Sequence, residues 1–180
     1  ITAEEQQRLR GKTVAIAGMG GVGGSHLLTL VRLGIERFHI ADMDSFEAPN
    51  LNRQAGAATS TLGRAKVEVM SELARDINPG VRLELFPDGV DPGNLSAFLT
   101  GVDVYLDGLD FFAFEARELV FDFCHHRGIP AVTVAPLGMS AALLNFMPGG
   151  SSFEDYFGLA GRPDLEKAVR FLVGLAPAML

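Results

Sequence analysis

Short apolar runs that suit buried strands alternate along this chain with longer stretches of helical periodicity. The pattern predicts strands at residues 13–17, 37–41, 82–86, 102–106, 131–135 and 141–146. It predicts helices at residues 2–9, 22–33, 64–77, 95–99, 114–126 and 164–173. Strands that alternate with helices are typical of an α/β fold with a parallel sheet. We therefore predict a doubly wound, mostly parallel sheet with helices on both faces.

A glycine-rich segment lies between the first predicted strand and the first predicted helix. Residues 18–24 read Gly-Met-Gly-Gly-Val-Gly-Gly. Glycines let backbone N–H groups approach a pyrophosphate, and the following helix points its positive end at the anion. An acid, Asp42, follows the second predicted strand about twenty residues on, where a ribose-binding acid is expected. The sequence thus predicts a Rossmann-like nucleotide site. The glycines predicted to cradle the phosphates are Gly18, Gly20, Gly21 and Gly23.

Further polar residues follow the ends of predicted strands or lie in the loops and helix starts just beyond them. Ligands of an open α/β sheet bind outside the carboxyl ends of its strands. The loop of residues 42–60 is also long for a compact domain, and such loops are usually functional. The sequence therefore predicts two basic groups and several carboxylates around one crevice. These residues are Asp42, Asp44, the string Asn50-Leu51-Asn52-Arg53-Gln54, Lys66, Asp107 and Asp110.

Together, the glycine segment, Asp42, the Asn50-to-Gln54 string, Lys66 and Asp110 resemble a known family in type and spacing. They are similar to the ATP-binding domain of ubiquitin-activating (E1-like) enzymes, the ThiF/MoeB/HesA group of adenylyltransferases. The resemblance covers roughly residues 4–149. It predicts an E1-like nucleotide-binding domain at residues 1–150. Residues 151–180 are then an extension that is either part of this domain or the start of a further segment.

The resemblance implies ATP- and Mg²⁺-dependent activation of a carboxylate. A partner's C-terminal carboxylate attacks the α-phosphate of ATP, pyrophosphate leaves, and an acyl-adenylate forms. The implied partner is a ubiquitin-like or sulfur-carrier protein, and the implied assembly is a homodimer. Cations must neutralise the charge that develops when an anion approaches a polyanion. The implied roles are phosphate binding by Arg53 and Lys66, Mg²⁺ binding by Asp110, ribose binding by Asp42, nucleotide contacts by Asp44 and Asn52, and phosphate contact or loop anchoring by Asn50.

Composition limits the classes of partner and the cell compartment that we expect for this chain. The chain has 180 residues and a formal net charge of −7, and an acidic chain is a poor binder of nucleic acid. Its single cysteine, Cys124, excludes an internal disulfide and favours a reducing, cytoplasmic compartment. No apolar run reaches the roughly 20 residues of a membrane span. The chain begins with Ile1 and ends in apolar sequence, so we expect it to be a piece of a longer protein.

Several alternatives stay open. The glycine segment and Asp42 alone would also suit an NAD(P)- or FAD-binding oxidoreductase domain. A non-catalytic E1-like interaction module would keep the fold and lose activity. Lys66 would be a solvated helix lysine if its spacing carried no meaning, and Asp110 would be a turn-capping acid. Cys124, in an apolar stretch, is a core residue rather than a nucleophile.

Three departures from the family pattern bear on the chemistry. Family members often carry two Cys-x-x-Cys pairs for zinc, and this chain has none, so no zinc is expected. Phe111 stands where an asparagine commonly follows the metal-binding acid. The family also uses an arginine just upstream of the first helix, and Arg8 and Arg10 are the nearest candidates here.

Overall fold

Six strands form one sheet in the computed structural model, which describes residues 1–176. The strand order is β3-β2-β1-β4-β5-β6, and every neighbouring pair is parallel except the antiparallel pair β5–β6. The prediction of a doubly wound, mostly parallel sheet is therefore confirmed. The strands are β1 (Thr13–Ala17), β2 (Arg37–Ala41), β3 (Arg82–Phe86), β4 (Val104–Asp107), β5 (Ala131–Leu137) and β6 (Ser140–Phe146).

Helices cover both faces of this sheet. Successive residues of a strand point to opposite faces. In β1, Val14 and Ile16 join one buried cluster, and Ala15 and Ala17 join the other. The described residues form seven α-helices and one 3-10 helix, Ala48–Asn52. The α-helices are α1 (Ala3–Arg10), α2 (Gly21–Arg32), α3 (Lys66–Ile77), α4 (Leu95–Leu99), α5 (Phe114–Arg127), α6 (Phe153–Phe157) and α7 (Asp164–Leu175).

The C-terminal extension contains a helix that the sequence pattern did not predict. In α6, the Ser152 hydroxyl accepts from the Asp155 N–H at 3.0 Å, and Asp155 in turn accepts from the Ser152 N–H at 3.0 Å. This reciprocal pair is a capping box, which stabilises the start of a short helix. Phe153 and Phe157 of α6 are buried in the same cluster as Phe171 of α7. The extension therefore packs on the sheet, while the boundary at residue 150 stays a prediction.

The strand order places a crevice between β1 and β4. The chain runs from β1 outward through β2 and β3, then returns to add β4 on the other side of β1. Ligands of such sheets bind at this reversal, outside the carboxyl ends of the strands. Gly18 and Gly108, which directly follow β1 and β4, meet there.

Two further sequence predictions concern helices. Within residues 1–176, no helix has both the length and the apolar character needed to cross a bilayer. Cys124 lies fully buried on α5, and burial raises its thiol pKa to about 12. Because the thiolate is the nucleophilic form of cysteine, this environment suits a core residue.

Candidate nucleotide-binding and active site

The glycines of residues 18–24 divide into two groups. Gly18 has φ +88°, and a Cβ there would collide with the Gly108 carbonyl. A Cβ on Gly23 would collide with the Gly18 carbonyl oxygen. These two glycines let β1, α2 and the turn after β4 pack at backbone contact. Gly20 and Gly21 line the open cleft, where an added Cβ would lie 3.5 Å from Gln54 Nε2 and 3.6 Å from the Arg53 carbonyl oxygen, respectively.

Helix α2 presents its N-terminus to the cleft. The helix begins at Gly21 with Gly20 as its N-cap, and within residues 1–176 no side chain caps it. The first amides of a helix have no intrahelical partners, and the helix dipole adds positive potential there. A phosphate in the cleft would meet these donors without competition from a capping side chain.

Asp42 holds a fixed position at the end of β2. Its Oδ2 accepts from the Met19 N–H at 2.6 Å, and its Oδ1 accepts from the Asp44 N–H at 2.8 Å. Burial raises the pKa of Asp42, while these two hydrogen bonds and the charge of Lys66 oppose the rise. Each carboxylate oxygen keeps a lone pair that a ribose hydroxyl can use.

Lys66 is tied to Asp44 twice. Its Nζ lies 2.8 Å from Asp44 Oδ2, and its backbone N–H donates to the Asp44 carbonyl at 2.9 Å. The Lys66 side chain is 8% exposed, although the Asp44 side chain is 65% exposed. The ammonium therefore sits at the cleft wall with its charge neutralised by an acid that faces solvent.

The 3-10 helix Ala48–Asn52 carries Arg53 to the cleft. Arg53 Nη1 donates to the Pro49 carbonyl at 3.1 Å and to Asn52 Oδ1 at 3.0 Å. A guanidinium has five N–H donors, so others stay available for an anion. Asn50 Oδ1 accepts from the Glu47 N–H at 2.9 Å, which anchors the start of this helix.

Gln54 was predicted near the crevice only as part of the string that identified the loop, and no role was assigned to it. It lines the cleft and is 8% exposed. Among residues 1–176, its buried Oε1 has no hydrogen-bond partner. A buried acceptor without a partner costs roughly 1–3 kcal/mol, so a ligand donor there would be favourable.

The two acids after β4 have different surroundings. Asp107 is buried, and its Oδ2 accepts from Arg117 Nε and from Thr133 Oγ1, both at 2.8 Å. Asp110 is exposed at the cleft, and its Oδ1 accepts from the Phe112 N–H at 3.2 Å. Asp107 is therefore engaged within the protein, whereas the Asp110 carboxylate is open to a ligand. Arg117 was not predicted as a site residue, because helical position alone does not distinguish it from a solvated arginine.

One cleft of about 790 Å³ brings most of the predicted site together. The part of the cleft that is lined by β5, α5 and α7 is mostly apolar. Three predicted site residues lie outside the lining of this cleft: Gly23 packs against the Gly18 carbonyl, and Asn50 and Asn52 belong to the 3-10 helix that carries Arg53. Arg8 is paired with Glu4 and Arg10 with Glu36, away from the cleft. The predicted residues that line the cleft are Gly18, Gly20, Gly21, Asp42, Asp44, Arg53, Gln54, Lys66, Asp107 and Asp110.

The donor set at this cleft fits Mg²⁺ held jointly with phosphates. Within residues 1–176, no group of three or more His, Cys, Asp or Glu side chains is placed to hold a metal ion by itself. Mg²⁺ is usually bound by one or two carboxylates together with substrate phosphates and water. The exposed carboxylate of Asp110, which lines the same cleft as the glycine turn, suits such a site.

The sheet, the glycine turn and the cleft at the strand reversal are those of a Rossmann-like nucleotide-binding fold. The chain belongs to the ThiF family, whose model matches residues 1–180. The sequence-based assignment to the E1-like ThiF/MoeB group is therefore confirmed.

Individual relatives agree with this assignment. The tRNA threonylcarbamoyladenosine dehydratase of Haemophilus influenzae is 33% identical over 138 residues, covering 76% of this chain and 52% of that protein. The SAMP-activating enzyme E1 of Haloferax volcanii is 31% identical over 163 residues, covering 91% of this chain and 60% of that protein. The structure of the Escherichia coli tRNA N6-threonylcarbamoyladenosine dehydratase in complex with ATP matches with a TM-score of 0.69 and 32% identity. The match covers 73% of this chain and 54% of that one. The chain thus spans about half the length of these relatives.

Proposed function

We propose that this chain is the adenylation domain of an ATP- and Mg²⁺-dependent adenylyltransferase that activates a carboxylate. The observation that carries the proposal is the convergence of the α2 N-terminus, Arg53, Lys66 and Asp110 on one cleft. A structural relative of 32% identity is described in complex with ATP, which supports ATP as the nucleotide. The reaction transfers the adenylyl group to the carboxylate and releases pyrophosphate.

The residues divide the work of binding and charge control. Asp42 accepts hydrogen bonds from the ribose, and the N-terminal amides of α2 face the phosphates. Arg53 and Lys66 supply positive charge as the carboxylate approaches the α-phosphate. Arg53 can bind phosphate oxygens bidentately, whereas Lys66 acts as a point charge. Lys66 must turn from Asp44 toward the phosphates for this role, and the exposed Asp44 is then solvated by water.

Asp110 is the proposed Mg²⁺ ligand. When bound, Mg²⁺ would neutralise charge on the phosphate oxygens. Phe111 follows Asp110 and brings no polar group to the metal, so Asp110 carries the protein's contribution at this turn. The neighbouring Asp107 is committed to Arg117 and Thr133.

We further propose that the carboxylate belongs to the C-terminus of a ubiquitin-like or sulfur-carrier protein. One relative is named a SAMP-activating enzyme E1, which supports a protein substrate. Two others are named for a modified tRNA nucleoside, which makes RNA the competing substrate. The net charge of −7 favours the protein.

ATP–pyrophosphate exchange tests the proposal. The full-length protein is incubated with ATP, Mg²⁺, labelled pyrophosphate and a candidate carrier protein from the same cell. We expect label in ATP with the carrier, and none when the carrier's C-terminal carboxylate is amidated. Exchange that depends on a tRNA fraction and not on the carrier would contradict the proposed protein substrate and support the proposed adenylation chemistry. No exchange with any carboxylate would reject the enzyme and favour a non-catalytic module.

A comparison of nucleotides tests the oxidoreductase alternative. Calorimetry with the same protein should give tighter binding for ATP with Mg²⁺ than for NADH. Arg53 and Lys66 support this order, because a triphosphate carries more charge near them than a dinucleotide pyrophosphate does. Tighter binding of NADH would contradict the proposal.

We also propose that the protein is a cytoplasmic homodimer. Helix α7 exposes the apolar side chains of Leu165, Val169 and Leu172, which recur at helical spacing on one face and support burial against a partner. Sedimentation equilibrium measures the assembly, and a monomer at every concentration would contradict the dimer.

Cell fractionation tests the proposed compartment. Recovery of the protein outside the cytoplasm would contradict the cytoplasmic assignment.

A further inference from the structure

We propose that Arg117 is a positioning residue that holds the turn after β4, so that the Asp110 carboxylate faces the nucleotide. The inference rests on the proposed function, because it gives Asp110 its role as the Mg²⁺ ligand. It concerns a residue whose side chain is 3% exposed and reaches the turn from α5. Arg117 lies at the wall of the cleft, but its guanidinium is bonded to protein acceptors, so its proposed action is through Asp110.

The guanidinium of Arg117 binds three successive carbonyl groups of the turn. Its Nη2 donates to the carbonyls of Leu109 and Asp110, each at 2.9 Å, and its Nη1 donates to the Phe111 carbonyl at 3.2 Å. Its Nε donates to Asp107 Oδ2 at 2.8 Å. A planar guanidinium has its donors in a rigid fork, so four bonds from one group fix the path of the turn.

The sheet fixes the guanidinium in turn. Asp107 is the last residue of β4, and its Oδ2 also accepts from Thr133 Oγ1 on the neighbouring strand β5. Asp107 Oδ1 accepts from the Leu109 N–H at 3.1 Å, which starts the turn. Arg117 thus connects two central strands to the turn through buried, charge-assisted hydrogen bonds, which are stronger than neutral ones.

These bonds set the direction in which the Asp110 side chain leaves the turn. With its carbonyl drawn toward Arg117, its carboxylate is left exposed at the cleft. The Phe112 N–H donates to that carboxylate and limits its rotation. A metal ligand held in place by its outer partners needs no reordering when the metal arrives, and the loss of such partners typically lowers metal affinity.

Phe171 of α7 covers this network. Its ring centroid lies 4.8 Å from the Arg117 guanidinium carbon. The ring attracts the cation and keeps water from competing for the turn carbonyls. Helix α7 thereby supports the turn as well as the apolar part of the cleft lining.

The test is the Mg²⁺ requirement of ATP binding by Arg117→Lys. Lysine keeps the charge beside Asp107 but replaces the rigid fork with a flexible point charge. We expect the Mg²⁺ concentration for half-maximal ATP binding to rise by about tenfold or more. Metal-free AMP binding should stay within about twofold of wild type, because α2 and Asp42 are untouched. Hydrogen exchange at residues 109–113 should become faster.

Lys167→Met is the matched control. Lys167 of α7 is also a buried cation, and its Nζ lies 2.6 Å from Glu118 Oε1 on α5. Its loss should lower the melting temperature and leave the Mg²⁺ requirement unchanged. An Mg²⁺ requirement for Arg117→Lys that equals wild type, or a shift no larger than that of the control, would overturn the inference.

A second variant keeps the test decisive if Arg117→Lys does not fold. Phe171→Leu keeps every hydrogen bond and admits water to the network, so the Mg²⁺ requirement should rise by about threefold. No rise would overturn the inference. If wild-type protein bound no ATP with Mg²⁺, the proposed function would fail and this inference with it. If wild type bound normally and the variants matched it, this inference alone would fail.

Discussion

Lys66 Nζ contacts Asp44 Oδ2 at 2.8 Å, so the cation at the wall of the cleft has a carboxylate partner before any phosphate arrives. The two residues lie at the carboxyl end of β2 and at the first position of α3. An ion pair with one exposed partner can exchange that partner for a phosphate at low cost, because water solvates the released carboxylate. The pair keeps the Lys66 side chain at the wall of the cleft.

Lys66→Met should weaken ATP binding much more than adenosine binding. The variant removes a charge from the proposed phosphate site and leaves Asp42, the proposed ribose ligand, unchanged. We expect the Kd for ATP to rise by about tenfold or more, and the Kd for adenosine to change little, by calorimetry. Lys12→Met is the control, since Lys12 pairs with Asp103 and has a 54% exposed side chain. Equal losses for ATP and adenosine would contradict the phosphate role.

Alanine at Gly23 should mainly lower the stability of the fold, whereas alanine at Gly21 should mainly lower the affinity for ATP. Gly23→Ala pushes a Cβ into the Gly18 carbonyl and should cost about 3 kcal/mol of unfolding free energy in urea. Gly21→Ala meets ordinary contact distances, so stability should stay within about 1 kcal/mol. Its methyl group nevertheless lines the cleft, and ATP affinity should fall by about tenfold. Unchanged ATP affinity in Gly21→Ala would show that phosphates bind elsewhere.

Asp110→Ala should remove the effect of Mg²⁺ on ATP binding. The variant loses the one exposed carboxylate of the turn and keeps the Arg117 network, because that network uses the backbone of residue 110. We expect ATP affinity in Mg²⁺ to fall by about tenfold or more, with metal-free affinity unchanged. Asp122→Ala, at an exposed position of α5, removes the same charge and should behave as wild type. A normal Mg²⁺ response in Asp110→Ala would assign the metal to another group.

Asp42→Asn should change how stability depends on pH. Burial raises the pKa of Asp42 above its ordinary value of about 4, so the folded state binds the proton more tightly than the unfolded state does. The stability that protonation contributes is complete below the unfolded pKa and is lost as pH rises through the folded pKa. Urea unfolding should show that, as pH rises through this window, wild type loses stability relative to Asp42→Asn.

Asp103→Asn provides a control of opposite sign. Burial would raise the pKa of Asp103, but hydrogen bonds from Lys12 and the Thr13 N–H outweigh it and lower the pKa. Its contribution to stability is therefore lost as pH falls, so wild type should lose stability relative to this variant toward acid. The same direction of change in both variants would contradict the assigned shift of Asp42.

The sequence predicted the sheet and the edge at which the site forms. Alternating apolar runs and helical periods are local properties, and five of the six predicted strands match the observed ones at their first residue or within one residue of it. The predicted strand at residues 102–106 begins instead at Val104, because the Val102 N–H closes a turn onto the Leu99 carbonyl. Parallel strands put their carboxyl ends at one edge, so the order of Gly18, Asp42 and Asp110 along the chain sufficed to place them near one another.

Tertiary structure alone decided how those side chains are used. Periodicity does not show that Gly23 meets the Gly18 carbonyl, or that Asp107 and Asp110 have opposite exposure three residues apart. Nor does it reveal Arg117, whose hydrogen bonds reach from a helix to the turn before it. Each of these facts depends on the distance between packed elements. Local sequence sets which elements form, whereas the packing of side chains from separate elements sets those distances.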